Sequence, residues 1–170
     1  MSEERAQDAS RVEVVVEIPK GSRNKYEVDH STGEVWLDRP LYTATRYPAD
    51  YGFLAHTLGE DGDPLDALVL GYEPVLPGVH VWARPVAAFL MSDEDGPDAK
   101  IFCVHADDHR WDHLQDLADL PPHVTEEIRH FFDVYEALEP DKESEVGDWV
   151  DSAEAQRLVK EAWARHDEAG

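Results

Sequence analysis

The sequence predicts a mainly β domain that ends in two helices, which places it in the α+β class. Three observations support this prediction: a β-branched run near the N-terminus, several short apolar runs separated by turn residues, and a change to helical spacing in the last third. The chain has 170 residues and one cysteine. A single domain with its own apolar core is therefore expected, and an intrachain disulfide is excluded.

The predicted strands occupy the first two thirds of the chain. Gly33 supplies the positive φ of a hairpin loop, and Pro85 indicates a bend or an edge. A small barrel or a strongly curled sheet would hide the edges of these strands. The predicted strands are residues 12–18, 25–29, 34–38, 65–70, 79–91 and 100–105.

Two helices are predicted after Pro121 and Pro122. Asp151 and Glu154 have the spacing of a capping box, which predicts that the second helix starts near Asp151. The apolar stripe of the first helix is Val124, Ile128, Phe131, Phe132, Tyr135 and Leu138, and that of the second is Leu158, Val159, Ala162 and Trp163. The polar residues 1–11 are predicted to form a flexible tail, and residues 12–170 a single domain.

The charge of the chain is strongly negative. It carries 38 Asp and Glu against 15 Lys and Arg, a formal net charge of -23. Such a chain repels nucleic acid and anionic membranes, so neither is expected as a partner, whereas cations are suitable ligands. The sequence has no apolar run of the roughly 20 residues that a membrane helix needs, and a cytoplasmic protein is predicted. The acidity fits a saline environment or a biased genome equally well.

Three aspartates, Asp61, Asp63 and Asp66, fall within six residues of a turn that opens a strand. Like-charge repulsion opposes this grouping unless cations neutralise it, and oxygen ligands of this kind suit Mg²⁺. An acidic surface turn is the alternative, because Asp, Gly and Pro are the usual turn residues. An EF-hand is excluded by spacing, since Asp66 and Tyr72 stand where it needs Gly and Glu.

A second acidic turn, residues 92–100, contains Asp93 and Asp98. By itself this turn is typical of a solvated hairpin tip, but two such turns at one end of a barrel could hold several metal ions. Lys25 and Glu27 alternate on one strand and therefore share a face. Cationic and phenolic groups among carboxylates suggest an anion held between metals, the arrangement used in phosphoryl transfer.

The run Asp-Gly-Asp-Pro-Leu-Asp-Ala at residues 61–67 resembles the signature of the soluble, family I inorganic pyrophosphatases. The resemblance extends from Val12 to about Trp163, and residues 19–30 are most similar to actinobacterial members. It implies a small five-stranded, OB-like closed barrel flanked by helices. It also implies hydrolysis of pyrophosphate by a metal-activated water in a hexameric enzyme, with several Mg²⁺ ions per site and Mn²⁺ or Zn²⁺ as possible substitutes.

The resemblance also implies roles for individual residues. Asp63 would be the general base, with Asp98 as the other assignment. The metal ligands would be Glu17, Glu27, Asp61, Asp66, Asp93 and Asp98. The substrate-binding residues would be Lys25, Arg39, Tyr51, Lys100 and Tyr135, with Tyr47 supporting the pocket.

Two positions depart from the family pattern. Glu136 and Glu145 stand where lysines are usual, so positive charge is lost at the anion site. Arg46 or Lys142 is expected to replace part of it. Three functions are therefore kept: a pyrophosphatase, a catalytically impaired homologue that only binds cations or anions, and a nucleotide- or oligosaccharide-binding barrel. The acidity argues against the last, and the presence of Asp63 beside Asp66 favours the enzyme.

Overall fold

A computed structural model describes residues 8–170 of the chain. The β-strands are β1 (Val12–Ile18), β2 (Asn24–Val28), β3 (Val35–Pro40), β4 (Asp50–Leu54), β5 (Asp66–Leu70), β6 (His80–Asp93), β7 (Gly96–Pro97), β8 (Lys100–His105) and β9 (Ser144–Val150). The α-helices are α1 (Pro122–Val134) and α2 (Ser152–Ala169), and short 3-10 turns cover His109–Trp111 and Leu117–Asp119.

Five strands pair in a closed ring. β1 pairs with β4, β4 with β5, β5 with β8, β8 with β6, and β6 again with β1. All of these pairings are antiparallel except that of β5 with β8. The ring agrees with the predicted OB-like barrel, which hides the strand edges by closing on itself.

The β6 strand, 14 residues long, holds the ring and the peripheral strands together. It pairs with β1 and β8 inside the ring and with β7 and β9 outside it. Its register against β8 shifts between Pro85 and Ala87, so the pairing is irregular at the residue where the sequence indicated a bend or an edge. Such a shift lets one long strand serve two parts of a curved sheet. The hairpin of β2 and β3 forms a separate sheet.

Strands β4 and β9 differ from the sequence prediction, which assigned no strand to residues 50–54 or 144–150. Both strands contain glycine, which lowers β propensity, and their neighbours supply the pairing that local preference does not. At Gly52 the glycine is required: a Cβ there would lie 1.9 Å from the carbonyl oxygen of Val15 on β1. The close approach of β4 to β1 therefore depends on a missing side chain.

The helices begin as predicted, but α1 ends early. Pro122 occupies the first turn of α1, and Asp151 caps α2 by accepting the backbone N–H of Glu154 at 3.0 Å. The apolar spacing predicted a first helix that reaches Leu138. The α1 helix ends at Val134, and Leu138 is exposed. The chain turns at this point towards β9, which overrides the local pattern.

Each helix covers its own apolar core. Alternate residues of β8 face opposite sides, so Phe102 joins the cluster around α1 and Cys103 the cluster around α2. The α1 cluster is rich in aromatic rings; Phe89 and Phe132 stack at 6.2 Å. In the α2 cluster, Trp163 packs with aliphatic side chains. The two helices therefore pack against opposite faces of the strands, each over its own apolar cluster.

The predicted tail over 1–11 lies partly outside the described residues. Within the part that the structure covers, Ala9 is buried and belongs to the core cluster around α2. Across residues 8–170, neither helix combines the length and the apolar character needed to traverse a lipid bilayer.

The Gly52→Ala substitution tests the close approach of β4 to β1. Because the added Cβ would overlap a backbone oxygen, we expect the free energy of unfolding to fall by about 3 kcal/mol or more. Gly33→Ala is the control: Gly33 has a positive φ but open space around it, so the expected loss is about 1–2 kcal/mol. Urea unfolding measures both. Equal losses in the two variants would contradict the packing argument.

Candidate active site

The polar end of the barrel contains a cavity of about 430 Å³. Eleven carboxylates and four cationic side chains line it. Of the sequence-predicted site residues it brings together Glu17, Lys25, Glu27, Arg39, Tyr51, Asp61, Asp63, Asp66, Asp93, Asp98, Lys100 and Tyr135. Tyr47 is the exception: it is buried, and its ring lies 5.5 Å from that of Tyr51 and 4.7 Å from that of Phe131. Tyr47 therefore supports the wall of the cavity from behind.

The pairing of β5 with β8 positions the centre of the cavity. Asp66 begins β5 and lies opposite Lys100, the first residue of β8. The Lys100 ammonium, with a side chain only 1% exposed, donates to Asp66 at 3.0 Å, Asp98 at 3.1 Å and the Tyr51 hydroxyl at 2.9 Å. Phe132 on α1 lies beneath the ammonium, with 4.9 Å between Nζ and the ring centroid. A buried ammonium ion with this many partners is fixed in position.

The two carboxyl groups on Lys100 have opposite pKa shifts. Desolvation raises the pKa of Asp66 to about 7, although the Lys100 charge opposes this shift. Desolvation also acts to raise the pKa of Asp98, but the Lys100 charge and a hydrogen bond with Asp66 outweigh it and lower that pKa. Below about pH 7 the pair therefore tends to hold one proton, on Asp66, when no other cation is nearby.

Loop residues 59–66 bring Asp61 and Asp63 to the same cavity. The loop is closed by a backbone hydrogen bond of 2.6 Å from Gly59 to Asp63, and Gly62 adopts a φ of 91° that favours glycine. The Asp61 carboxylate accepts the backbone N–H of Asp63 at 3.1 Å. Desolvation, together with nearby carboxylates, raises the pKa of Asp61. Asp63 is exposed in the cavity.

Glu17 ties the β2–β3 hairpin to the barrel. Its carboxylate, on β1, accepts the backbone N–H of Val28 on β2 at 2.8 Å. Desolvation raises the pKa of Glu17 to about 7, and the neighbouring Glu27 adds to the increase. On the hairpin, Lys25 and Arg39 are cross-strand partners and both line the cavity. The hairpin thus places two of the four cationic side chains in the lining of the cavity.

Asp93 lies at the far end of β6, where the chain turns into β7. Its carboxylate accepts the backbone N–H of Asp95 at 2.8 Å, and desolvation raises its pKa. The Asp98 N–H donates to the Met91 carbonyl at 2.8 Å, which folds this second acidic turn over the cavity. The two acidic turns singled out in the sequence therefore meet at one end of the barrel.

The donor set suits a hard divalent cation. It consists of carboxylate oxygens, and the raised pKa values of Glu17, Asp61, Asp66 and Asp93 mark charges that the protein leaves poorly compensated. Within residues 8–170, no three His, Cys, Asp or Glu side chains form a group that could hold a metal ion as they stand. The carboxylates surround the cavity and would have to close on an ion that enters it.

The phenols are suited to binding an anion. Burial raises the pKa of Tyr51 and of Tyr135 far above the usual value, so both hydroxyls stay protonated and can donate. With Lys25, Arg39 and Lys100 they place donors opposite the carboxylates, so a polyanion could lie between cations on both sides.

Sequence reasoning missed some residues of the cavity and one contact. It gave Lys100 a substrate role but not its ion pairs with Asp66 and Asp98; the register of β5 with β8, which the sequence does not encode locally, creates them. Missed residues of the lining include His30, Asp38, Glu94 and Asp95. These four residues lie next to or near predicted site residues in the sequence, and that proximity was the signal that could have identified them.

The two cations that the sequence offered as replacements for the lost lysines are placed differently. Lys142 lines the cavity, whereas Arg46 donates to the Gly21 carbonyl at 3.1 Å and is absent from the lining.

A family described as inorganic pyrophosphatase matches residues 14–167. The chain belongs to this family. Members of the family depend on metal ions, which agrees with the set of carboxylate oxygens described above. The resemblance drawn from residues 61–67 is thereby confirmed.

Individual relatives cover nearly the whole chain. An inorganic pyrophosphatase of Leifsonia xyli is 56% identical over 158 residues, or 93% of this chain and 97% of the relative. The corresponding protein of Streptomyces coelicolor is 51% identical over the same shares. The crystal structure of inorganic pyrophosphatase from Thermus thermophilus superposes with a TM-score of 0.90 at 49% identity, covering 93% of this chain and 92% of that one. The pyrophosphatase fold is therefore shared.

The raised pKa values predict how the stability of the metal-free protein depends on pH. Glu17 and Asp66 keep their protons in the folded chain at a pH where the unfolded chain has released them. The free energy of unfolding should therefore fall as the pH rises from about 4.5 to about 7. Glu17→Gln should make this decrease in the free energy of unfolding smaller by up to about 3 kcal/mol, because one of the two titrating groups is removed.

Urea unfolding of the chelator-treated protein at several pH values measures this effect. The control Glu34→Gln changes an exposed turn residue and should leave the slope as in the wild type. A Glu17→Gln protein with the wild-type slope would show that the charge on Glu17 is compensated in the folded chain.

Proposed function

We infer that the protein hydrolyses inorganic pyrophosphate to two phosphates, and we propose that Mg²⁺ is its metal, with several ions per site. The inference rests on one observation. This chain, which belongs to the inorganic pyrophosphatase family, has the carboxylates and cations of the predicted site around one cavity. Oxygen ligands favour Mg²⁺, and Mn²⁺ or Zn²⁺ are possible substitutes.

The proposed metal ligands are the carboxylates of the two acidic turns and of the neighbouring strands. They are Glu17, Glu27, Asp61, Asp66, Asp93 and Asp98. When bound, Mg²⁺ would neutralise phosphate oxygens and make a bound water acidic enough to act as nucleophile near neutral pH. Burial raises the pKa of Asp66 to about 7 in the free protein, so a cation that binds Asp66 and Asp98 together would displace any proton held on Asp66.

The proposed substrate contacts come from three cations and two phenols. Lys25, Arg39 and Lys100 would neutralise charge on the two phosphates, and the neutral hydroxyls of Tyr51 and Tyr135 would donate hydrogen bonds. Cations and phenols that are already in place stabilise developing charge without reorganisation during the reaction.

Asp63 is the proposed general base. It is exposed in the cavity, where a water can reach its carboxylate. Asp98, the other assignment, is already bound to Lys100 and to Asp66, which lowers its pKa and makes it a poorer proton acceptor. The geometry therefore favours Asp63 in this role.

An impaired, non-catalytic homologue finds no support. That alternative rested on Glu136 and Glu145, but relatives that are 50–56% identical over more than 90% of this chain are named as enzymes. Glu136 lines the cavity and is paired with Arg39, whereas Glu145 lies outside this lining, at the edge of β9. The barrel alone would also suit a nucleotide or an oligosaccharide, but a cavity rich in carboxylates repels nucleic acid.

We further propose a cytoplasmic homo-oligomer, with six copies as the resemblance implies. Support comes from large apolar side chains that the single chain leaves exposed, including Trp36 and Leu37 on the hairpin and Tyr72 and Leu76 before β6. Exposed apolar side chains of this size are typical of protein interfaces.

The first test is phosphate release from pyrophosphate with and without Mg²⁺. We expect rapid release with Mg²⁺ and none after chelation. Asp66→Asn should lower the rate by at least about 10³-fold, because it removes charge from the centre of the carboxylate cluster. Asp148→Asn, at an exposed position on β9, is the charge-matched control and should match the wild type. A folded wild type that releases no phosphate with any of the three metals would refute the function.

A second test concerns the cation that compensates for Glu136. Lys142→Ala should raise the KM for pyrophosphate several-fold, since Lys142 lines the cavity. Arg46→Ala should leave KM and kcat near the wild-type values, because Arg46 points to the Gly21 carbonyl. The reverse pattern in steady-state kinetics would make Arg46 the compensating residue.

A further inference from the structure

Three carboxylates surround the guanidinium group of Arg39. Glu139 accepts from Nε at 2.5 Å, Glu136 accepts from Nη2 at 2.8 Å, and Asp38 accepts from Nη1. Each of the three nitrogens therefore already has an anionic partner. This crowding of negative charge is unexpected around a residue that is proposed to bind phosphate.

The three partners hold Arg39 from different sides. Glu139 lies behind it: its side chain is 5% exposed and is absent from the cavity lining. Asp38 is shared with Lys25, whose Nζ lies 3.8 Å away. Glu136 lines the cavity and, within the contacts of the described residues, its carboxylate accepts from no other cation. Glu139 is therefore a fixed support, whereas Glu136 occupies the side from which a ligand arrives.

The local fold explains this placement. After α1 the chain makes a tight turn in which the Glu139 N–H donates to the Glu136 carbonyl at 3.0 Å. The turn carries both carboxylates to the same arginine, one behind it and one in front. Glu136 is only 14% exposed at its side chain, so its ion pair with Arg39 is stronger than a solvated one.

A phosphate group and the Glu136 carboxylate compete for the same guanidinium edge. Phosphate binds arginine best through two parallel N–H donors, and Arg39 lines the cavity. Even where a second hydrogen on Nη2 is free, a carboxylate 2.8 Å from that nitrogen repels the oxygens of a multiply charged anion.

We propose that Glu136 is an internal competitor for phosphate at Arg39, a carboxylate that pairs with Nη2 in the free protein and is displaced when pyrophosphate binds. The inference rests on the proposed function. Glu136 therefore weakens the binding of pyrophosphate and, by the same exchange, helps to expel product phosphate. Glu136 thus adjusts the affinity for the anion in the proposed reaction without contacting the bonds that change.

A different role for Glu136 makes the opposite prediction. If Glu136 helped to position Arg39, its removal would weaken anion binding. If Glu136 displaces phosphate, its removal strengthens binding, because the arginine no longer spends most of its time paired with a carboxylate. The apparent dissociation constant is the intrinsic one divided by the fraction of protein with Arg39 free.

The test is a calorimetric titration with imidodiphosphate, a slowly hydrolysed pyrophosphate analogue, in the presence of Mg²⁺. We expect Glu136→Gln to bind it about tenfold more tightly than the wild type, as for an ion pair that leaves Arg39 free about a tenth of the time. KM for pyrophosphate should fall in parallel. Asp133→Asn removes one charge from the exposed face of α1 outside the cavity and should leave the affinity within about twofold of the wild type.

An Arg39→Ala background provides the second arm of the test. There Glu136→Gln should bring a smaller gain in affinity than in the wild type, because only the repulsion of the anion is relieved and no competition for Arg39 remains. Thermal unfolding verifies that every variant is folded.

The outcomes separate the two proposals. Unchanged or weaker binding by Glu136→Gln overturns the competitor role, and so does an equal gain in the Arg39→Ala background. If the wild type binds the analogue but releases no phosphate from pyrophosphate, the proposed function fails while the affinity comparison still decides the role of Glu136. Failure of both the wild type and Glu136→Gln to bind the analogue overturns both.

Discussion

The buried ammonium group of Lys100 is the contact on which the polar end of the molecule depends. It lies between Asp66 and Asp98, under Tyr51 and above Phe132. The Lys100 charge lowers the pKa of Asp98 and opposes the desolvation that raises the pKa of Asp66, and the ammonium could not be buried without these partners. The three side chains therefore stabilise one another.

This triad also links the apolar core to the site. Lys100 and Asp66 are register partners in the one parallel pairing of the ring, so the apolar residues that follow them fix the charged groups at its end. The Phe132 ring beneath the ammonium belongs to the core formed by α1. A change in how the helix packs would therefore be felt by the predicted metal ligands.

The positive charge of Arg39, on the side of the cavity proposed to bind the anion, is balanced in a different way. There Arg39 is surrounded by carboxylates, one buried behind it and others facing the cavity. An enzyme that binds a polyanion between metals and arginine has to release two anionic products, and very tight binding of phosphate would slow that release. The proposed competition of Glu136 with phosphate for Arg39 would prevent such tight binding, and Glu136 lies in the turn after α1.

The sequence by itself determined the hairpin of β2 and β3, strands β1, β5, β6 and β8, the starts of both helices and the identity of the two acidic turns. These follow from periodicity, turn residues and local like-charge repulsion, all of which act within a few residues. The resemblance of residues 61–67 added the family and the site residues gathered at the cavity. The roles proposed for those residues stay predictions.

Only the tertiary structure decided which of these residues meet. Strand β4 forms because Gly52 lets it approach β1, and β9 forms because β6 is long enough to pair with it. Lys100 pairs with Asp66, and Glu136 with Arg39, over separations of 34 and 97 residues. Such contacts depend on strand register and chain closure, and neither propensity nor spacing in the sequence encodes these.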